Sequence, residues 1–150
     1  MSMRSAIHNV WEWNRRFGHI SENPSVRADL WRVSEQHREL ALQLIEEEVA
    51  ELREAVEAQD EVETLDAICD ILVTVFGLAA KADLSDVIQD GFNEVMWSNW
   101  SKLDADGNPV YYENGKIGKS DQYTPPDLGR VIDDFRDVYG RRLQVPNGDL

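Results

Sequence analysis

Between Leu44 and Gly77 the sequence reads LIEEEVAELREAVEAQDEVETLDAICDILVTVFG, and any fold of this chain must place that stretch's many carboxylates on surfaces that otherwise read as core. Residues 46–70 hold eleven Asp and Glu against a single base, Arg53, which is −10 of the chain's net −14. At roughly 100° per residue, helical periodicity puts Val33, Leu40, Leu44 and Ala55 on one side of a helix, with Glu47, Glu48 and Glu51 on that same side. Glu35, Glu39, Glu46 and Glu57 project the other way with Arg53, as a solvated face does. The next helical run, from about Glu61 to Lys81, is apolar nearly all round through Leu65, Ile68, Ile71, Leu72, Val75 and Phe76, the pattern of a helix enclosed in a bundle. One polar stripe crosses it, formed by Glu63, Asp66, Asp70, Thr74 and Gly77. A hairpin about Ala58–Asp60 would let the two carboxylate stripes face each other.

Carboxylates clustered at low dielectric cannot all stay ionised without a partner; each is driven toward its protonated form or takes up a cation. The only base in the segment, Arg53, points outward. A hard divalent cation with oxygen ligands is the natural counter-charge, and Mg²⁺ suits carboxylates that also receive a substrate phosphate. The competing reading is an acidic helical protein that binds a basic partner without catalysis, which requires the acids to lie on exposed faces.

The chain's 150 residues are enough for one domain with a substantial core, and a hydrophobic content of 42% argues against disorder despite the charge. A pI near 4.5 disfavours nonspecific binding to nucleic acid or to an anionic membrane, although a bound metal would still admit a nucleotide. Cys69, the single cysteine, cannot form an intrachain disulfide and reads as a small core residue of the third helix. No segment has the length and apolarity of a membrane span or a signal sequence, so the expectation is a soluble, cytoplasmic protein.

Along the chain, residues 5–18 read as a first helix bearing Ile7, Val10, Trp11 and Phe17 on one side, Trp13 at its margin and Gly18 at its close. His19–Pro24 reads as a linker. Trp11, Trp13, Phe17 and Trp31 are either core or the wall of a nucleobase pocket, with Trp11 and Phe17 the base-binding candidates. A second helix is expected from near Ser25 to Gln59, with a break about Ser34–His37, and His37 reads as a structural histidine. Asp83 or Ser85 is the expected cap of a fourth helix whose buried side is Leu84, Val87, Ile88, Gly91 and Val95. The same face continues to Asn99 and Lys102, either a phosphate-binding pair or a polar helix terminus with its lysine at the negative end of the dipole.

After Lys102, turn signals at Asp106-Gly107 and Asn114-Gly115 flank a β-prone Val110–Tyr112, predicting a small hairpin or loop with Lys116 and Lys119 available to an anion. Pro125-Pro126-Asp127 opens a last amphipathic helix through Leu128, Val131, Ile132, Phe135 and Tyr139, and VPNGDL is the expected frayed end. The expectation is therefore one all-α domain over 1–150: a bundle of four to five helices, its core about 5–102 and a C-terminal extension about 103–150.

The blocks LIEEEVAELREA, DAICDILVTVFG, EVMWSNWSKLDADGNP and YTPPDL resemble, in that order and over about residues 35–130, the all-α NTP pyrophosphohydrolase superfamily. That superfamily includes MazG, dimeric dUTPases, dCTP pyrophosphatases and phosphoribosyl-ATP pyrophosphohydrolase, and the likeness is greatest to the MazG-like branch grouped with the last. One departure stands out. The family's second motif, Glu-x-x-Asp, ends here on Asp70 but has Ala67 at its Glu position, so Asp66 or Glu63 must supply the missing carboxylate.

The resemblance implies hydrolysis of a nucleoside triphosphate between the α and β phosphates, giving a monophosphate and pyrophosphate. It implies two or three Mg²⁺ ions, with Mn²⁺ a substitute, on Glu48, Glu51, Asp66 (or Glu63) and Asp70. Glu47 would be the base that takes the proton of water, and Asn99 and Lys102 would steady the phosphates. It also implies a homodimer or homotetramer, in keeping with apolar faces too wide for one chain to hide. A (deoxy)nucleoside triphosphate is the expected substrate, phosphoribosyl-ATP the alternative within the same chemistry.

Overall fold

The computed structural model describes residues 2–20 and 35–143, and it is all-α: Met3–Arg16 (α1), Glu35–Ala58 (α2), Glu61–Lys81 (α3), Ile88–Trp100 (α4) and Leu128–Leu143 (α5). Among the described residues the only β pairing is an isolated bridge between Tyr111 and Ile117, and no helix is long and apolar enough to cross a membrane. The expected start of the second helix from Ser25, Val33, Trp31 and the terminal VPNGDL lie outside the described residues, as do the side chains of His37 and Tyr139. The chain forms two compact units, Met1–Asp86 and Val87–Leu150.

In the first unit α3 packs on α2 and on α1. The α2–α3 hairpin is built at Gln59 and Asp60. Gln59 takes a left-handed φ of 55°, which turns the chain out of the helix, and the Asp60 amide donates back to the Ala55 carbonyl at 3.0 Å. Asp60 then caps α3, its Oδ1 accepting from the amides of Val62 (3.0 Å) and Glu63 (3.1 Å). Ala41 and Ala55 are buried on α2, and Ala67, Phe76, Gly77, Ala79 and Ala80 on α3, so small side chains bring the helices close. Ser2 caps α1, its Oγ accepting from the Ser5 amide, and Glu12 is held down to about pKa 2 by hydrogen bonds from Arg15 and Arg16.

The apolar surface of α3 is not enclosed all round by this chain's described residues. Leu65 is 63% exposed, and Ile68, Leu72 and Val73 are also exposed. Cys69 is exposed with them, correcting its expected place in the core. It lies between Leu65 and Leu72 on this exposed stripe, whereas Phe76, one turn beyond Leu72 on the same line, is buried. Leu40 and Leu44 of α2 are exposed as well.

The expected cap of α4 at Asp83 or Ser85, residues that fall at the end of the first unit, gives way to a later start. Asp83 has a left-handed φ of 57° just past α3, residues 85–87 form a turn, and α4 begins at Ile88 after Val87, which makes no side-chain cap bond. Asp127 caps α5 by accepting from the Arg130 amide at 2.9 Å. Glu94 of α4 ties the two helices together: one carboxylate oxygen accepts from the Asp127 amide (3.0 Å) and the other from Arg130 Nη2 (3.0 Å). Ser98, buried, donates to the Thr124 carbonyl at 2.8 Å. The expected hairpin is present in small form, with left-handed Gly107 and Gly115 at its turns and Gly118 donating to the Val110 carbonyl at 2.7 Å.

Candidate functional site

Glu48 stands midway along the buried stripe of α2, two helical turns from Ala41 and two from Ala55. Its Oε2 is closed off from solvent and has no hydrogen-bond partner among the described residues. Burial pushes its carboxyl above the ordinary carboxylate range, and the negative charges of Asp70, Glu51, Glu47 and Asp66 push it further the same way. Five carboxylates from two helices therefore share one electrostatic site, assembled by the hairpin at Gln59–Asp60.

Two of these acids come from α3, Asp66 exposed and Asp70 half-buried. Glu63 is exposed near the start of α3 and is not among the charges that raise Glu48. Ala67 is buried, so the position where the related motif carries Glu is occupied here by a methyl group in the packed face of α3. Of the two candidates for the missing carboxylate, Asp66 is thus the one whose charge reaches Glu48. Thr74, one turn beyond Asp70, spends its hydroxyl on the Asp70 and Ile71 carbonyls, both at 3.0 Å.

Among the described residues no three His, Cys, Asp or Glu side chains converge in metal-holding geometry. The chemistry of the donor set nonetheless fits a hard cation. It is all carboxylate oxygen, and it includes a buried acceptor with nothing to accept from.

The phosphate-binding candidates lie in the second unit. Lys102 Nζ donates to Asn99 Oδ1 at 2.7 Å, so the end of α4 presents an ammonium and an amide as one polar pair. Lys119 sits with its Nζ 4.4 Å from the centre of the Tyr123 ring, a cation–π contact, and Lys116 is exposed in the hairpin turn.

The N-terminal aromatics separate. Trp11 stacks with His8 (5.9 Å between ring centres), whereas Phe17 packs against Trp13 (4.7 Å) on the other margin of the buried Ile7–Asn14 stripe. The structure therefore does not bring Trp11 and Phe17 together as one pocket wall. Sequence reasoning passed over Asn14 and read His19 only as the start of a linker. Asn14 is 3% exposed and packs over Gly77 of α3, where an added Cβ would lie 3.5 Å from its Nδ2. Its Oδ1 meets His19 Nδ1 at 3.2 Å, and His19 meets Trp13 edge-on at 5.5 Å. A polar residue in line with Ile7 on an apolar helix face was the available signal.

A family model described as phosphoribosyl-ATP pyrophosphohydrolase matches residues 14–99. That span holds every acid of the hairpin site and ends at Asn99, before Lys102. The chain is also 30% identical, over 133 residues, to "Uncharacterized protein L479" of Acanthamoeba polyphaga mimivirus. The aligned region is 87% of this chain and 49% of the viral protein, so the chain spans about half the length of this curated relative. With the family match covering more than half of an all-α chain, the protein belongs to the phosphoribosyl-ATP pyrophosphohydrolase family, within the MazG-like all-α NTP pyrophosphohydrolase superfamily.

Proposed function

We propose that this chain is a metal-dependent nucleoside triphosphate pyrophosphohydrolase that cleaves a (deoxy)nucleoside triphosphate between its α and β phosphates, releasing pyrophosphate and a monophosphate and so controlling a nucleotide pool inside the cell. The observation that carries the reading is Glu48: a buried carboxylate oxygen without a donor, surrounded by four more negative charges. A noncatalytic acidic surface has no use for an acid in that position, because burial costs what solvent would have supplied freely.

In this reading Glu48, Glu51, Asp66 and Asp70 hold two or three Mg²⁺ ions, or Mn²⁺, with Glu63 the secondary candidate at the edge of the set. When bound, the metal supplies the positive charge that offsets the triphosphate and the charge developing where the bond breaks. Glu47, exposed at the flank of the Glu48 stripe, takes the proton from the attacking water at a carboxylate oxygen. Asn99 and Lys102 bind phosphate oxygens through an amide N–H and an ammonium, with Lys116 and Lys119 adding positive charge from the hairpin. The exposed aromatics of α1, on the Phe17 side, receive the base.

Self-association belongs to the same proposal. Leu65, Ile68 and Leu72 form a bare stripe on a helix whose composition is that of an interior, and a second copy of the chain covers it in a homodimer or homotetramer. Phosphoribosyl-ATP is the second substrate reading, favoured by the description of the matching family model. Its hydrolysis breaks the same kind of bond with the same residues.

The test is a panel of canonical and modified dNTPs together with phosphoribosyl-ATP, incubated with purified protein and Mg²⁺ or Mn²⁺ and scored for pyrophosphate. Release from at least one dNTP supports the first reading, and release from phosphoribosyl-ATP alone selects the second. Orthophosphate as the sole phosphorus product, or no release across the panel, removes both.

A further inference from the structure

Asn14 is the most buried polar side chain of α1, and its hydrogen bonds fix more than its own position. Its Nδ2 donates to the Val10 carbonyl at 2.9 Å, which leaves Oδ1 as the atom facing His19. An amide oxygen only accepts, so His19 Nδ1 carries the proton and donates to it. That tautomer leaves Nε2 as the acceptor. The His19 amide is held as well, donating to the Asn14 carbonyl at 2.8 Å, so backbone and ring are both anchored to one buried residue.

Around this oriented imidazole lie open aromatic surfaces. Trp13, 46% exposed, meets His19 in a T-shaped contact, and Phe17, 64% exposed, packs against Trp13. Aromatic rings left in solvent beside an acceptor of fixed direction have the chemistry of a nucleobase subsite: the rings stack on a base, and the acceptor takes an amino or imino N–H from its edge. The cluster is also tied to the carboxylate site. Asn14 rests on Gly77 of α3, seven residues beyond Asp70, an axial separation of about 10 Å at the rise of an α-helix. A base at one end of that span and a triphosphate at the other is an extended nucleotide laid along α3.

We infer that Trp13, Phe17 and His19 form the base subsite for the nucleotide substrate, with His19 Nε2 accepting a base N–H and Asn14 acting as the positioning residue that sets its tautomer and direction. This rests on the nucleotide reading above, which gave the base only a stacking surface, and adds the hydrogen-bond acceptor and the residue that orients it. It also predicts tolerance among bases, because every canonical base offers a ring face and at least one N–H donor.

The experiment measures binding rather than turnover. In the presence of Mg²⁺, calorimetry compares α,β-methylene analogues of the four canonical dNTPs, which resist cleavage at that bond, with inorganic tripolyphosphate. The wild-type chain is set against His19→Ala, His19→Phe and Trp13→Ala, all at exposed positions. The expected result is that the tightest analogue binds the wild-type chain at least about tenfold better than tripolyphosphate, the margin of one stacked base. Each variant should lose most of that margin and keep its tripolyphosphate affinity.

His19→Phe keeps a ring and lacks the acceptor, so full affinity in this variant overturns the hydrogen-bonding role. An unchanged margin in both His19→Ala and Trp13→Ala, or no margin in the wild-type chain, overturns the subsite. Base-dependent binding without pyrophosphate release in the substrate panel would leave the subsite standing and defeat the catalytic reading. Pyrophosphate release with indifferent variants would do the reverse.

Discussion

Glu48 shows how one carboxylate reports on a whole site. Its pKa lies above the unfolded value because burial and four acids disfavour the charged form. At low pH it is protonated in both folded and unfolded chains and contributes no difference. As pH rises through its folded pKa the native state must carry a charge it holds poorly, so this group's contribution lowers stability with rising pH. In EDTA the melting temperature of Glu48→Gln should therefore fall less than that of the wild-type chain as pH rises from the ordinary carboxylate range toward neutrality. Millimolar Mg²⁺ should stabilise the wild-type chain more at the neutral end of that rise. Parallel melting curves for the two proteins in EDTA would remove Glu48 from the role of buried charge. In turnover, Glu48→Gln and Asp70→Asn should each lower kcat/KM by at least about a hundredfold while circular dichroism stays native, the scale expected when a preorganised electrostatic partner is lost. The position of Glu48 was legible because 3.6-residue periodicity alone places it with Leu44 and Ala55. The choice of Asp66 over Glu63 was not, because both lie on the Asp70 side of α3, about one and two turns before it, and only the packing of α3 on α2 decides whose charge reaches across.

At the level of elements, the α2–α3 hairpin is the joint on which the site depends. Asp60→Ala removes the acceptor for two amides at the start of α3 and should lower unfolding free energy in urea by about 1 kcal/mol. Gln59→Gly should act in the opposite direction by about 0.5 kcal/mol, since a residue with a Cβ is held at a positive φ that glycine adopts freely. Equal effects of the same sign from the two substitutions would contradict this account of the turn. The hairpin's location was readable from the break in hydrophobic periodicity and from an Asp placed ahead of an apolar run. The start of α4 was misjudged by the same logic, because Asp83 and Ser85 have good capping chemistry. In the fold, Asp83 takes a left-handed conformation that leads the chain out of α3. Backbone geometry at the end of one helix overrode side-chain preference at the start of the next.

For the molecule as a whole, α3 carries more interior-type surface than the described part of one chain covers. Leu72→Glu, which places a charge in the bare stripe, should weaken self-association by at least about a hundredfold, read by sedimentation as a shift toward monomer with the helix content unchanged. A wild-type chain that sediments as a monomer at high micromolar concentration would end the proposed assembly. Cys69 was misassigned for the same reason: its apolar neighbours in sequence imply burial, but burial of that stripe is not supplied by the described residues of this chain. The sequence by itself determined the all-α class, the acid hairpin and its family, because helical periodicity, charge density and a short motif are local properties that survive without coordinates. The tertiary structure decided which acids share a field with Glu48. It also turned the His19 ring through Asn14 and left one side of α3 bare, because these depend on which residues distant in sequence come to rest against each other.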